Sequence, residues 1–260
     1  MRNRIVFSLR LLVIFFVFSA CAGVDKSSKT EYKSQYTIDS IWDLTSQKDT
    51  AFQNLINNYK KELDDEMNMV ISITDEAMIA DRPESKLSNL IADAMLEIGR
   101  EYCKEHKLTH SVDFSVMNQG GIRTALPKGE ITTSRVYEML PFKNKLVIVG
   151  MNGKEVQKLL DQLASFGGEG ISGLKMGIKN EKAVEVEIGG ESINPEKIYH
   201  IVSIDYLVNG GGGITAFQNR ETFRHLHKKL RSEIIRYMTR KYKNGEHLSS
   251  KLDGRVYHVE

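Results

Sequence analysis

The stretch Met117-Asn118-Gln119-Gly120-Gly121-Ile122-Arg123 puts an amide, two glycines and a guanidinium within seven residues. It follows the alternating apolar stretch Val112 to Val116, which reads as a strand. A strand ending in paired glycines, with an arginine just past the turn, lets backbone and a fixed cation approach a small polar ligand. Gly-Gly after a strand is also an ordinary turn, so the segment alone does not define a site. No Ser-His-Asp or Cys-His arrangement can be argued from the chain. The His-x-His pair His225-Leu226-His227 has no neighbouring carboxylate or asparagine, and it reads as a surface pair on a turn.

The elements that must position these groups follow from periodicity. Phe52, Leu55, Ile56, Tyr59, Leu63 and Met67 make an amphipathic helix over about 49–67, and Met69 to Ile73 reads as a strand. Leu87, Leu90, Ile91, Ala94, Met95, Ile98 and Tyr102 form one apolar face of a long helix that Pro83 precedes. Glu84, Ser85, Asn89 and Asp93 at its front read as capping and solvated groups. Lys128 to Thr132 is a turn and a short extended piece, and Ser134 to Leu140 a helical turn that stops at Pro141. Lys145 to Val149 is a strand, Val156 to Leu163 a helix, and Gly167-Gly168-Glu169-Gly170 a mobile loop by composition. Val184 to Ile188 and Tyr199 to Ser203 read as strands, Leu230 to about Lys241 as the last helix, and Gly254 to His258 as a closing strand. Mixed helices and strands without a repeat predict an α+β fold, a single layered α/β domain with a mixed sheet.

Length and composition bound the rest. The chain has 260 residues, 41% hydrophobic and 27% charged, with a net charge of +2 and no basic stripe, so nucleic acid is not an expected partner. Arg2, Arg4 and Arg10 precede an apolar run from Leu11 to Phe18 and the small residues before Cys21, the pattern of a secretory signal, too short for a comfortable span. It resembles a bacterial lipobox, which implies lipidation of Cys21, export, and anchoring to the cell envelope at the periplasm or outer membrane. Residues 1–21 are then signal and lipobox, 22–36 a flexible tether, and 37–260 the domain. Cys103, the other cysteine, reads as partly buried on a helix and chemically idle.

Four segments together resemble one family. Glu84 to Ala94, Asn118 to Arg123, Leu140-Pro141-Phe142-Lys143-Asn144 and Asn209 to Gly213 occur in the order and spacing of the 5'-nucleotidase C-terminal domain, over roughly Thr37 to Glu260. In that family this domain binds the nucleotide or nucleoside, and a separate metallophosphoesterase domain with two metal ions cleaves the phosphate. The resemblance implies that Phe142 and Tyr206 sandwich a base and that Asn118 and Asn144 lie near base and ribose. It implies that Arg123 reaches the ribose or phosphate end, with Arg82 a weaker match offset by one residue. Gly120, Gly121, Gly211 and Gly212 complete the implied substrate-binding set. Two departures stand out: Tyr206 replaces the commoner phenylalanine, and Gly212 stands where the family usually has an aspartate that grips the ribose hydroxyls. Asp205 lies on the wrong side of Tyr206 to replace that carboxylate.

A two-metal phosphohydrolase needs clustered Asp, His and Asn ligands. The chain has no Asp-x-His near its start and no Gly-Asn-His-Glu, so no catalytic or metal residue and no cofactor is expected in it. Divalent metals are expected on a separately encoded metallophosphoesterase partner. The expected function is the substrate-binding component of a split 5'-nucleotidase-type phosphohydrolase in nucleotide catabolism. The alternative is a non-catalytic envelope lipoprotein that binds nucleosides or related small molecules.

Overall fold

The computed structural model describes residues 50–260, of which Asn54–Glu260 form one compact unit. The expected signal, Cys21 and the tether lie outside the described residues. The first helix, α1 (Thr50–Met67), has the expected extent. Its apolar residues do not face a core: Leu55, Ile56, Tyr59 and Leu63 are all exposed.

The centre is a five-stranded mixed sheet in the order β10-β4-β9-β2-β5. Its strands are β2 (Phe114–Met117), β4 (Lys145–Asn152), β5 (Gly170–Ser172), β9 (Ile198–Ile204) and β10 (Thr222–Lys229). A two-stranded ribbon joins β1 (Val70–Thr74) to β3 (Gly129–Thr132). A four-stranded sheet has the order β11-β6-β7-β8, from β6 (Leu174–Lys179), β7 (Lys182–Ile188), β8 (Glu191–Ser192) and β11 (Val256–His258). The helices are α2 (Lys86–Glu105), α3 (Thr133–Met139), α4 (Gly153–Ser165), α5 (Asp205–Val208) and α6 (Leu230–Lys243). The α+β expectation with a mixed sheet holds.

Central strands are buried on both faces, which is why β2 and β4 are nearly continuous apolar runs rather than alternations. Helix α2 lays Leu87, Leu90, Ile91, Met95 and Ile98 against that sheet, and α4 does the same with Val156, Leu159, Leu160 and Leu163. At the start of α2, Ser85 is the N-cap and its side chain accepts from Ser88 N at 3.3 Å. The polar groups there are not all solvated as expected. Ser85 and Asn89 are buried, and Glu84 accepts hydrogen bonds from Asn89 Nδ2 at 2.7 Å, Asp253 N at 2.9 Å and Gly254 N at 3.0 Å. These bonds tie the chain's last turn to the front of α2, a long-range role that local spacing does not reveal. Cys103 is buried, and burial raises its thiol pKa, in keeping with an idle cysteine.

Two expectations fail. His225 and His227 lie on β10, not on a turn, and their rings approach each other at 5.8 Å. Register irregularity between His225 and Lys229, with a left-handed φ of 57° at His227, breaks the alternation that would have marked a strand. Gly167 to Gly170 is no free loop: Gly168, Glu169 and Gly170 are buried, and Gly170 opens β5. A Cβ on Gly168 would come 2.5 Å from Pro83 O, so the glycine serves close packing.

Candidate functional site

Strands β2 and β9 run parallel, so both release their chains at the same end of the central sheet. β4 pairs antiparallel with β9, and β5 antiparallel with β2, so both of these strands begin at that end. Four corners therefore converge: Asn118 just after β2, Tyr206 just after β9, Asn144 just before β4 and Glu169 just before β5. Between them lies a cavity of about 590 Å³, within the range that holds a small organic ligand.

One wall is the turn after β2, a single 3-10 turn over Gln119–Gly121. Gly121 packs closely there: a Cβ would sit 2.5 Å from Met117 Cε and 3.1 Å from Asn118 Oδ1, so the Met117 methyl would have to move to admit one. Arg123 is exposed at the cavity, tethered by a 3.3 Å bond from Nη1 to Gly120 O. Asn118 Oδ1 is buried against this wall with no hydrogen-bond partner. A buried acceptor left unmatched costs free energy, and a rotation of the Asn118 amide toward the cavity would relieve it.

Two of the aromatic side chains expected at the site line the cavity. Phe142 and Tyr206 are each 48% exposed, unlike core aromatics such as Phe114 and Phe217, and both line the cavity. Tyr206 is braced from behind. Its hydroxyl accepts from Gly212 N at 3.0 Å, and a Cβ on Gly211 would meet its ring at 2.5 and 2.6 Å. Asp205 Oδ1 accepts from Lys145 N at 3.0 Å and from Tyr206 N at 2.9 Å, pinning the corner to the start of β4. Asp205 is thus committed away from the cavity, as its position relative to Tyr206 implied.

Of the expected residues, Arg82, Asn118, Gly120, Gly121, Arg123, Phe142, Asn144, Tyr206 and Gly212 are brought together on the cavity. Gly211 is not on it and acts by making room for the Tyr206 ring. Phe166, Glu169 and Ile214 also line it and were not anticipated. Glu169 is 5% exposed; its Oε1 pairs with Arg82 Nη2 at 2.6 Å and its Oε2 accepts from Gln119 N at 2.5 Å. Arg82 Nε donates to Gly168 O at 2.8 Å. A glycine-rich composition hid a carboxylate whose partner lies 87 positions away.

A cavity lined by exposed rings and two guanidinium groups has the chemistry to stack a flat ring and to pair an anionic group. Residues 70–219 match the family model described as "5'-nucleotidase, C-terminal domain", and the chain belongs to that family. It is 29% identical over 170 residues to the 5'-nucleotidase of Vibrio vulnificus, covering 64% of this chain and 30% of that protein. It is 27% identical over 251 residues to the trifunctional nucleotide phosphoesterase YfkN of Bacillus subtilis, covering 87% of this chain and 16% of that protein. Among solved structures, a 5'-nucleotidase precursor from Thermus thermophilus superposes with a TM-score of 0.66 at 25% identity, over 82% of this chain and 44% of that one. The chain thus spans less than a third of the length of these two curated relatives. Among the described residues, no group of three or more His, Cys, Asp or Glu side chains could hold a metal ion. The two-metal centre that the family implies does not fit the residues described.

Proposed function

We propose that this chain is the nucleotide- or nucleoside-binding component of a 5'-nucleotidase-type phosphohydrolase and works with a metallophosphoesterase supplied by another polypeptide, where the divalent metals reside. The observation that carries the reading is the pair of half-exposed rings, Phe142 and Tyr206, facing one cavity whose other walls bear Asn118, Asn144, Arg82 and Arg123. A base held between two rings gains about 1–3 kcal/mol from stacking whatever its identity. The guanidinium of Arg123 offers forked donors to an anionic oxygen. In the full reading the chain is exported and held at the envelope through acylated Cys21; loss of lipid labelling in a Cys21→Ser variant tests that part.

The test of function is direct. Calorimetric titration with adenosine and AMP should show saturable binding by the chain alone. Adding the chain to a metallophosphoesterase that lacks this domain should raise phosphate release from AMP. Binding without any such gain would overturn the split-enzyme reading in favour of simple capture of nucleosides, and no binding would overturn both.

A further inference from the structure

We propose that Glu169 is a specificity-determining residue that limits the anionic charge the site accepts to a single phosphate group; the proposal rests on the nucleotide-binding reading above. Two guanidinium groups, Arg82 and Arg123, stand on the cavity wall. Of these two, Arg82 has a carboxylate partner among the described residues, with Glu169 Oε1 2.6 Å from its Nη2. Glu169 is 5% exposed and lines the cavity itself, so water does little to screen it from a ligand. The wall therefore presents one uncompensated positive charge, at Arg123, instead of two.

The placement of that carboxylate matters as much as the sum. An anionic group near Arg123 meets a cation tethered to Gly120 O and to no carboxylate among the described residues. A second phosphate extending toward Arg82 meets a guanidinium already engaged through Nε and Nη2 and paired with the Glu169 carboxylate, which lines the same cavity. A buried like charge beside the added phosphate is an effective way to reject a ligand without altering how the accepted one is held. Glu169 Oε2 also accepts from Gln119 N, so the same side chain holds the turn that carries Asn118 and Gly120. A purely structural clamp would serve with any acceptor of that shape, whereas the selectivity requires the charge.

The experiment measures the affinities of adenosine, AMP and ADP for the wild-type chain, for Glu169→Gln and for Arg82→Gln, with thermal melting to verify folding. In the wild type, ADP should bind no tighter than AMP. Glu169→Gln should raise ADP affinity relative to adenosine by about tenfold, as expected for removing one nearby charge of the same sign at intermediate dielectric. Arg82→Gln leaves the Glu169 carboxylate unpaired and should weaken ADP more than AMP; this ordering decides the matter if Glu169→Gln does not fold, and equal losses for ADP and AMP would overturn the proposal. Equal shifts for all three ligands in both variants, or an unchanged ADP-to-adenosine ratio in Glu169→Gln, would overturn the proposal. Failure of the wild type to bind any of the three would instead overturn the functional reading beneath it.

Discussion

Replacing Phe142 by alanine separates binding from folding more cleanly than any other change in the site. The ring is 48% exposed, so only about half of its surface contributes to the packed interior. Truncating a fully buried phenylalanine costs about 3–5 kcal/mol, and half of that burial sets an upper limit of about 2.5 kcal/mol for Phe142→Ala. A unit of this size loses roughly 2–4 °C in Tm per kcal/mol, so the melting shift should stay below about 10 °C. Binding should respond differently. Removing one face of a base sandwich forfeits about 1–3 kcal/mol, which weakens adenosine roughly 5- to 150-fold. Phe217→Ala supplies the contrast: that ring is 0% exposed, so its loss should lower Tm by well over the Phe142 value. Calorimetric titration and melting of both variants test the reasoning. Unchanged adenosine affinity in Phe142→Ala, or a melting shift equal to that of Phe217→Ala, would refute the assignment of Phe142 to a ligand-facing wall.

Three further outcomes follow from the same geometry. Gly211→Ala must displace the Tyr206 ring, from which its methyl would stand 2.5–2.6 Å, so it should cost about 1–3 kcal/mol in stability and weaken adenosine as well, measured by melting and titration. Gly212→Asp should fold, because the nearest atoms to an added Cβ are at 3.6 and 4.0 Å and aspartate tolerates the φ of 65° better than most residues; it should increase discrimination for adenosine over 2'-deoxyadenosine by supplying an acceptor for ribose hydroxyls. His200 has a lowered pKa, first through burial and then through the stacked His110, with Asp113 opposing. Its neutral form is favoured in the folded state, so its contribution to stability is present above the ordinary value of 6.5 and is lost as pH falls from there toward the depressed pKa. Melting temperatures at pH 7.5 and 5.5 should therefore converge in a His200→Asn variant.

What the sequence made legible was whatever local spacing encodes. The apolar face of α2 and the buried stripe of α4 recur at three and four residues, and both helices stand where periodicity put them. The cavity-lining residues were picked out through the family resemblance that four short segments carry together, and the parallel pair β2 and β9 gathers their corners at one end of the sheet. The missed pieces all depend on distant partners. Gly168 and Glu169 look like loop composition until Arg82 and Pro83 arrive from the front of α2. Strand β5 is three residues long and exists by pairing with β2. Helix α1 forms where its apolar spacing put it, yet that spacing does not reveal that Tyr59 on the stripe is 68% exposed.

The two departures from the family pattern, read separately in the sequence, are one feature in the structure. The hydroxyl of Tyr206 accepts a hydrogen bond from the backbone N–H of Gly212. A phenylalanine at 206 would leave that donor without this acceptor. The glycine run makes the arrangement possible: Gly210, Gly212 and Gly213 all have positive φ, and Gly211 lies against the ring where a side chain would collide with it. Tyrosine at 206 and glycine at 211 and 212 thus support one another, and the ring keeps its half-exposed face to the cavity. Loss of a carboxylate at 212 also leaves Glu169, at the opposite wall, as the acidic side chain lining the cavity. Negative charge therefore sits beside the Arg82 guanidinium and not at position 212, and under the proposed nucleotide-binding role this placement moves selectivity from the ribose hydroxyls toward the number of phosphates.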